Sequence, residues 1–462
     1  MNAIFMFGLI IIICLVGILA GRRVNSAAQW ANGGKNLNWV TVGILLVTFQ
    51  IGGTSTIGAA QYGYTLGIGG CWYGVTGTVA MLLSILFISS LRKYITEDTI
   101  GNFMTNRYSA SVSKLYSYAY LLMGFVYIPV QLFTVTTIFR TIIPGLSLTW
   151  ACIIGLVLSI SYTVISGVSG ANYVSKVSAI LMYGSLVVGL GIVLSKIGGV
   201  STLKAELEPS YFNLFSMPTK TWFSWFLTCF VAFLTMQAAI QPSLIAKDDA
   251  NAKKGIAFGA ILNLPCGIVC ALFGMACIAM KLLPADGNSS LAFATAINAY
   301  CPTWLMTLIF ASIALIVICT LAGQLLAIGT IFRELLNPIY DKQSFSESKK
   351  LTFTRVIAFA YGFLTIIPTF AIQQSMLTQL VTILVACVTA PMFFALVAGM
   401  FWKRMNTKAA AASIITGLAV GLIWVISGMS ASWHPVYVIL PTSSLVGWLT
   451  CLFTTKGSLE KG

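Results

Sequence analysis

The chain has 462 residues, of which 58% are hydrophobic and 8% charged, and its 26 Lys and Arg against 11 Asp and Glu give a net charge of +15. A soluble domain runs at about 45–50% apolar and about 25% charged, so this composition excludes a water-facing globular surface and points to a chain covered by lipid. The single histidine, His434, rules out a histidine metal cluster or catalytic pair.

Crossing the hydrocarbon takes about 20 apolar residues. About thirteen runs meet that length: 3–20, 38–62, 69–91, 114–139, 148–166, 171–196, 221–244, 255–280, 303–332, 353–372, 377–402, 408–428 and 435–454. The first is followed by Gly21-Arg22-Arg23 rather than by a small-residue cleavage site, so it reads as a membrane helix and not as a signal peptide. Between the runs, every second loop is basic. Arg22, Arg23 and Lys35 follow the first run; Arg92, Lys93, Arg107 and Lys114 the third; Lys247, Lys253 and Lys254 the seventh. Lys342, Lys349, Lys350 and Arg355 follow the ninth, Lys403, Arg404 and Lys408 the eleventh, and Lys456 and Lys461 lie in the tail. This alternation is the positive-inside pattern and not a nucleic-acid patch. It predicts a multi-pass plasma-membrane protein with the N-terminus outside and the C-terminus cytoplasmic.

The longest polar connections, 92–113, 197–220, 281–302 and 333–352, leave no room for a soluble domain. The eleven cysteines are scattered through apolar runs without paired zinc spacing and read as small buried hydrophobes. Runs two to six and seven to eleven form two sets of five. An odd number per set turns the second copy upside down relative to the first, an architecture found in secondary transporters.

Several stretches resemble the sodium:solute symporter family. The second run reads Thr48-Phe49-Gln50-Ile51-Gly52-Gly53-Thr54-Ser55-Thr56-Ile57-Gly58, then Tyr62-Gly63-Tyr64, and is similar to the family's first core helix, which is unwound at mid-membrane. Gln237-Ala238-Ala239-Ile240-Gln241-Pro242 and the Ala246-Lys247 to Lys254-Gly255 loop resemble its Asn-Gln-x-x-x-Gln-Arg and Ala-Lys-x-x-x-x-Ala-x-x-Gly stretches. Cys319-Thr320-Leu321-Ala322-Gly323-Gln324-Leu325 stands where the family has Ser-Thr-Leu-Ser-x-Gln-Leu, and Tyr162-Thr163 with Ser166-Gly167-Val168 resembles Tyr-Thr-x-x-Gly-Gly-Leu. The resemblance implies an all-α polytopic membrane protein with the LeuT-type inverted five-helix repeat. Residues 1–37 would be an extra N-terminal helix and cytoplasmic loop, 38–200 the first repeat, 201–405 the second, and 406–462 two C-terminal helices and a tail.

On the residues alone, Gly52-Gly53 amid Thr48, Thr54, Ser55 and Thr56 is open to two readings. One is a broken helix whose freed carbonyls line a cavity; the other is a close approach of two helices. The resemblance implies the break, with a sodium ion between the carbonyls of Thr48, Ile51 and Ile316 and the side chains of Cys319 and Thr320. Cys319 departs from the family's serine, and a neutral thiol is a poor ligand for a hard cation. The positions matching a second sodium site, Ala322, Gly323 and Ser175, lack its ligands, so at most one sodium ion per cycle is expected. Beside Ser175 stands Lys176, either a lysine snorkelling to the inner interface or an ammonium facing the cavity.

Solute contacts are expected from Gln50, Gly52, Gly53, Ser55, Gln131 and Gln237. Tyr127, Trp222, Phe230 and Phe233 either flank the solute or pack. The spans contain no Asp or Glu apart from Glu334 at a cytoplasmic end, which argues against a carboxylate proton relay and against an intramembrane hydrolase. No arginine sits mid-membrane in the fourth run, where some members of the family hold an anionic solute, so the resemblance implies a neutral or zwitterionic solute. The predicted function is a secondary active transporter importing a small polar organic solute by alternating access with sodium. A sodium-independent or proton-coupled carrier, with Lys176 replacing the ion, is the alternative; a channel or a membrane enzyme is the rival from another class. No cofactor is called for beyond co-transported Na+. The expected partners are the solute and membrane lipid, with no nucleic acid and no obligate protein partner.

Overall fold

The computed structural model describes residues 3–22, 24–284, 287–370 and 377–454. Arg23, Lys456 and Lys461 of the basic loops, the end of the 353–372 run and part of the 281–302 connection lie outside the described residues. The chain runs through helices α1 (Ala3–Ala20), α2 (Ala27–Asn32), α3 (Trp39–Gln50), α4 (Ala59–Leu66), α5 (Trp72–Arg92), α6 (Ile100–Arg107), α7 (Ala110–Ile142), α8 (Leu148–Ile197), α9 (Val200–Glu206) and α10 (Thr219–Thr235). It continues through α11 (Gln237–Leu244), α12 (Asp249–Ala279), α13 (Ala292–Tyr300), α14 (Thr303–Lys342), α15 (Glu347–Leu364), α16 (Ile366–Thr369), α17 (Leu377–Phe401), α18 (Thr407–Ile426) and α19 (Val436–Thr454).

Helix starts follow from local sequence. Asn38, Ser109, Ser147, Asp248, Ser346 and Asn406 each accept, through the side chain, the backbone N–H three residues on. Such caps satisfy one of the orphan donors that every helix start exposes.

Among the described residues, ten helices are long and apolar enough to cross a membrane, or eleven if the bent pair α10 and α11 counts as one span, against the thirteen or so expected. The difference lies in two places. The second expected run is cut into α3, too short to count alone, and a distal half that continues into α5. The fifth and sixth expected runs are continuous in α8, which is 50 residues long. At about 1.5 Å per residue that is more than twice the hydrocarbon thickness, and α8 is divided at Gly167, where φ is 58° and ψ −146°.

Burial separates centre from rim. In α14, 89% of the most apolar stretch is buried, against 28% in α1 and in α19. Helix α14 packs against α8, α7 and α3, and α12 packs against α3, α4 and α5. On the rim, Ile180, Leu86, Ile426 and Phe453 stand exposed, as a lipid-facing surface requires.

Only glycine suits position 167. A Cβ there would lie 2.2 Å from the Trp30 carbonyl oxygen, and the indole of Trp30 bonds back to the carbonyls of Thr163 and Val164. Gly167→Ala should therefore lower the stability of the purified protein by about 2 kcal/mol or more, from backbone strain plus the clash. Gly184→Ala in the same helix meets nothing within 4 Å and should be close to neutral. Thermal unfolding of the two variants in one detergent checks this; equal midpoints would remove the role given to Gly167.

Candidate functional site

Besides the division of α8 at Gly167, two further breaks stand among the described residues. The first break follows α3. Ile51 leaves helical geometry at φ −73° and ψ 101°, and the chain re-enters a helix through a wide turn in which Gly58 N–H donates to the Gly53 carbonyl at 2.9 Å. Gly52 and Gly53 are needed because α7 presses on them. A Cβ on Gly52 would sit 2.3 Å from Gln131 Oε1, and one on Gly53 would sit 2.2 Å from Thr134 Oγ1. The second break is Met236, extended at φ −87° and ψ 113° between α10 and α11, which are bent by 51°.

Groups freed at these breaks find partners on α7. Gly53 N–H donates to Gln131 Oε1 at 3.3 Å, the Tyr116 hydroxyl donates to the Thr235 carbonyl at 3.0 Å, and Ala238 N–H donates to the Tyr120 hydroxyl at 3.0 Å. Tyr120 in turn donates to Gln324 Oε1 at 3.0 Å, which ties α14 to the second break.

At the first break Thr320 Oγ1 of α14 lies 3.1 Å from the Thr48 carbonyl oxygen, 2.9 Å from that of Ile51 and 3.1 Å from that of Ile316. One hydroxyl has one proton and can satisfy one of the three. Three buried carbonyl oxygens thus gather around one buried hydroxyl, hard oxygen donors of the kind a small hard cation takes. Cys319, the other side-chain ligand expected from sequence, does something else: its Sγ lies 3.7 Å from Ser178 Oγ on α8. Ser175 is fully buried nearby, and its Oγ has no hydrogen-bond partner. Lys176 is half-buried and lies off that face, towards the exposed Tyr173 and Ile180, with no ion pair among the described residues.

Beside the first break, Gln50, Tyr73, Tyr127, Thr228, Cys229, Ala232, Phe233, Met236, Val381, Thr382 and Val385 enclose a cavity of about 30 Å³, room for one or two waters. No lining residue is charged. Of the solute candidates read from sequence, Gln50 lines this cavity, and its Nε2 is buried without a partner. Gly52, Gly53, Ser55 and Gln131 are not in its wall, although Gln131 Nε2 is also buried and unpartnered. Gln237 is spent elsewhere: its Oε1 accepts Ile100 N–H and its Nε2 donates to the Asp98 carbonyl, both at 2.9 Å. Of the aromatic candidates, Tyr127 and Phe233 line the cavity. Phe230 packs on Phe87, Phe226 and Phe393, and Trp222 stacks on Trp72 at 4.6 Å. Tyr73, Thr228 and Thr382 were not legible as wall residues, because nothing but the packing of α5, α10 and α17 brings them together.

The two ends of the bundle differ. At one end a vestibule of about 320 Å³ is walled by residues that include Tyr62, Trp225, Gln379, Trp433 and His434. Trp225 packs on Tyr62 at 5.3 Å and on Tyr73 at 5.8 Å, so an aromatic layer one side chain thick separates vestibule from cavity. Burial pushes the His434 imidazole down to about 4, so it stays neutral at ordinary pH. At the other, basic end Lys35, Arg92, Asp98 and Asp249 line a cavity of about 260 Å³, and polar contacts tie the elements around it together. Arg92 donates to the carbonyls of Ser243, Leu244 and Ala246 and pairs with Asp249 at 2.8 Å, which caps the C-terminus of α11.

Comparisons with known proteins bear on the family and the fold. The sodium:solute symporter family model matches residues 30–417. Sodium/myo-inositol cotransporter 2 of Mus musculus is 23% identical over 440 residues, covering 84% of this chain but 64% of its own, so this chain spans less than two thirds of that relative. A monocarboxylic acid transporter of Corynebacterium glutamicum is 19% identical, covering 98% of this chain and 91% of its own. The high-affinity proline transporter of Bacillus subtilis is 22% identical, with 90% of each covered. Among solved structures, a Na+-coupled sialic acid symporter in a substrate-bound outward-open state superposes with a TM-score of 0.81 at 17% identity, covering 97% of this chain and 96% of its own. The fold is thus the LeuT-type arrangement in a multi-pass membrane protein. The chain belongs to the sodium:solute symporter family, a family of membrane transporters and not of enzymes.

Proposed function

We propose that this protein imports a small, neutral or zwitterionic polar solute by alternating access, coupled to one sodium ion held by Thr48, Ile51, Ile316 and Thr320. The observation that carries the reading is the convergence of three carbonyls and one hydroxyl at a break in a membrane helix. The uncharged cavity wall, with Gln50, Thr228 and Thr382 among apolar neighbours, supports a solute without net charge. The relatives' names cover an inositol, proline and monocarboxylic acids, so they do not narrow the solute further. Lys176 is then an interface anchor and not a substitute for the ion, because it stands off the buried face of α8. The same reading divides the chain into repeats at 38–200 and 201–405 and puts the N-terminus outside and the C-terminus in the cytoplasm of a plasma-membrane protein.

Sodium dependence is the test. Thermal shift of the purified protein should rise with sodium and not with potassium, because a ligand stabilises the state it binds. Thr320→Ala should raise the sodium needed for half the shift by about tenfold or more, the loss of one oxygen contact to a cation. Thr320→Ser should stay near the parent, and Lys176→Ala should change nothing. Equal shifts in sodium and potassium would sink the sodium reading, and a lost response in Lys176→Ala would return the lysine to the coupling machinery. With the assay in hand, a metabolite library screened in sodium identifies the solute, and uptake of that solute into proteoliposomes measures transport.

The break itself is tested by crowding it. Gly53→Ala pushes a methyl group into Thr134 and should abolish the sodium-dependent shift while folded protein is still recovered. Adding Thr134→Ala removes the two atoms at 2.2 and 2.5 Å and should restore part of the response. If Gly53→Ala responds to sodium as the parent does, the close approach of α7 has no bearing on the site.

Orientation is read by labelling. Single cysteines in the 247–254 loop should be reached by an impermeant reagent only from the cytoplasmic side, and cysteines in 204–220 only from outside. The reverse pattern would invert the topology.

A further inference from the structure

Four consecutive residues, Glu97 to Ile100, reach three separate parts of the bundle at its basic end. The Asp98 carboxylate, 2% exposed, pairs with Lys35 at 2.8 Å and accepts Asn32 Nδ2 at 2.9 Å. The Asp98 carbonyl accepts Gln237 Nε2, and Ile100 N–H donates to Gln237 Oε1, both at 2.9 Å. The Thr99 hydroxyl donates to Glu334. The Glu97 carbonyl accepts Arg333 Nη2 at 3.3 Å, and its carboxylate accepts Asn337 Nδ2 at 3.1 Å. Asp98 adopts φ +68°, a left-handed conformation uncommon outside glycine and tolerated best by Asn and Asp.

The partners are not arbitrary. Asn32 and Lys35 lie on the approach to α3, Gln237 begins α11, and Arg333, Glu334 and Asn337 lie near the end of α14. Helices α3 and α14 supply the carbonyls and hydroxyl gathered at the first break, and α11 follows the second break. The 97–100 segment therefore clamps, at one end, the elements that must separate if the cavity is to open there. A buried carboxylate with two donors is stable only while both stay in place, since an unpaired one is costly. A water-filled passage would hydrate it instead, so release and opening are one event.

We propose that residues 97–100 are the latch of the cytoplasmic gate, with Asp98 and Gln237 as its central pair, and that solute leaves only when this latch lets go. The inference rests on the alternating-access reading above, and Gln237 in it is a gating residue rather than a solute contact.

Hydrogen exchange of the full-length protein in nanodiscs, in choline buffer without sodium or solute, tests it. Asp98→Asn keeps the side-chain shape and the left-handed backbone and removes the charge. Peptides covering 97–103 and 237–244 should exchange about tenfold faster, the loss of a charge-assisted bond. Peptides covering 219–225, at the vestibule, should exchange more slowly, because the outer path closes when the inner one opens. Lys35→Gln alters the same pair from a half-exposed side chain and should give the same two-sided change if Asp98→Asn fails to fold. Asp341→Asn, which breaks an ion pair with Lys350 at the same end of the bundle without touching this segment, should leave both regions as in the parent. Unchanged exchange at 237–244 overturns the proposal. So does faster exchange there with the vestibule unaltered, because that is local fraying. Since sodium is absent from the assay, a protein that fails to respond to sodium still yields a result on the latch.

Discussion

Inside hydrocarbon a peptide N–H or C=O has no water to turn to, so every interruption of a membrane helix must be answered by another part of the protein. The functional core of this chain is organised by that demand. Helix α7 answers it twice, with Gln131 at the first break and with Tyr116 and Tyr120, one turn apart, at the second. The carbonyls of Thr48 and Ile51 are answered by a single hydroxyl, Thr320, which cannot satisfy both of them and Ile316 as well. The same few residues therefore build the scaffold and gather the oxygens to which the proposed sodium ion is assigned.

A second consequence is the close contact of α7 with the glycine pair. Gln131 reaches Gly53 N–H only because Gly52 and Gly53 carry no side chain. The break is held open from one side by α7 and from the other by α14, where Gly323 lets the Phe49 ring lie against the helix backbone. Small residues here serve both readings that composition allowed, since the helices approach closely and the helix is also broken.

The closures at the two ends are built from different physics. Towards the vestibule the barrier is aromatic packing, with Trp225 between Tyr62 and Tyr73, and such contacts slide without leaving polar groups bare. Towards the basic end it is a network of directed bonds through Arg92, Asp98 and Gln237, which either all form or leave charges unpaired. Aromatic packing at one end thus stands opposite directed polar bonds at the other.

Composition, run length and the alternation of basic loops were enough for a lipid-embedded helical bundle, because the cost of burying charge and of leaving backbone unbonded in lipid is local and can be read residue by residue. The Gly52-Gly53 stretch and Thr320 were legible as a break and its partner through family resemblance, since a motif keeps its order along the chain. Other features were decided by tertiary structure. Gln237 looked like a solute contact as a polar residue in a membrane helix, yet both ends of its amide are taken by a loop 137 to 139 residues away. Cys319 sits next to Thr320 in sequence, but a helix turns neighbours about 100° apart, so one faces the break in α3 and the other faces Ser178 on α8. Lys176 and Ser175 part company for the same reason. The division of α8 at Gly167, the wall formed by Tyr73, Thr228 and Thr382, and the latch around Asp98 depend on which helices lie side by side. Hydropathy along a chain carries no information about that, because in lipid every apolar face is equally content until packing and hydrogen bonding choose its neighbour.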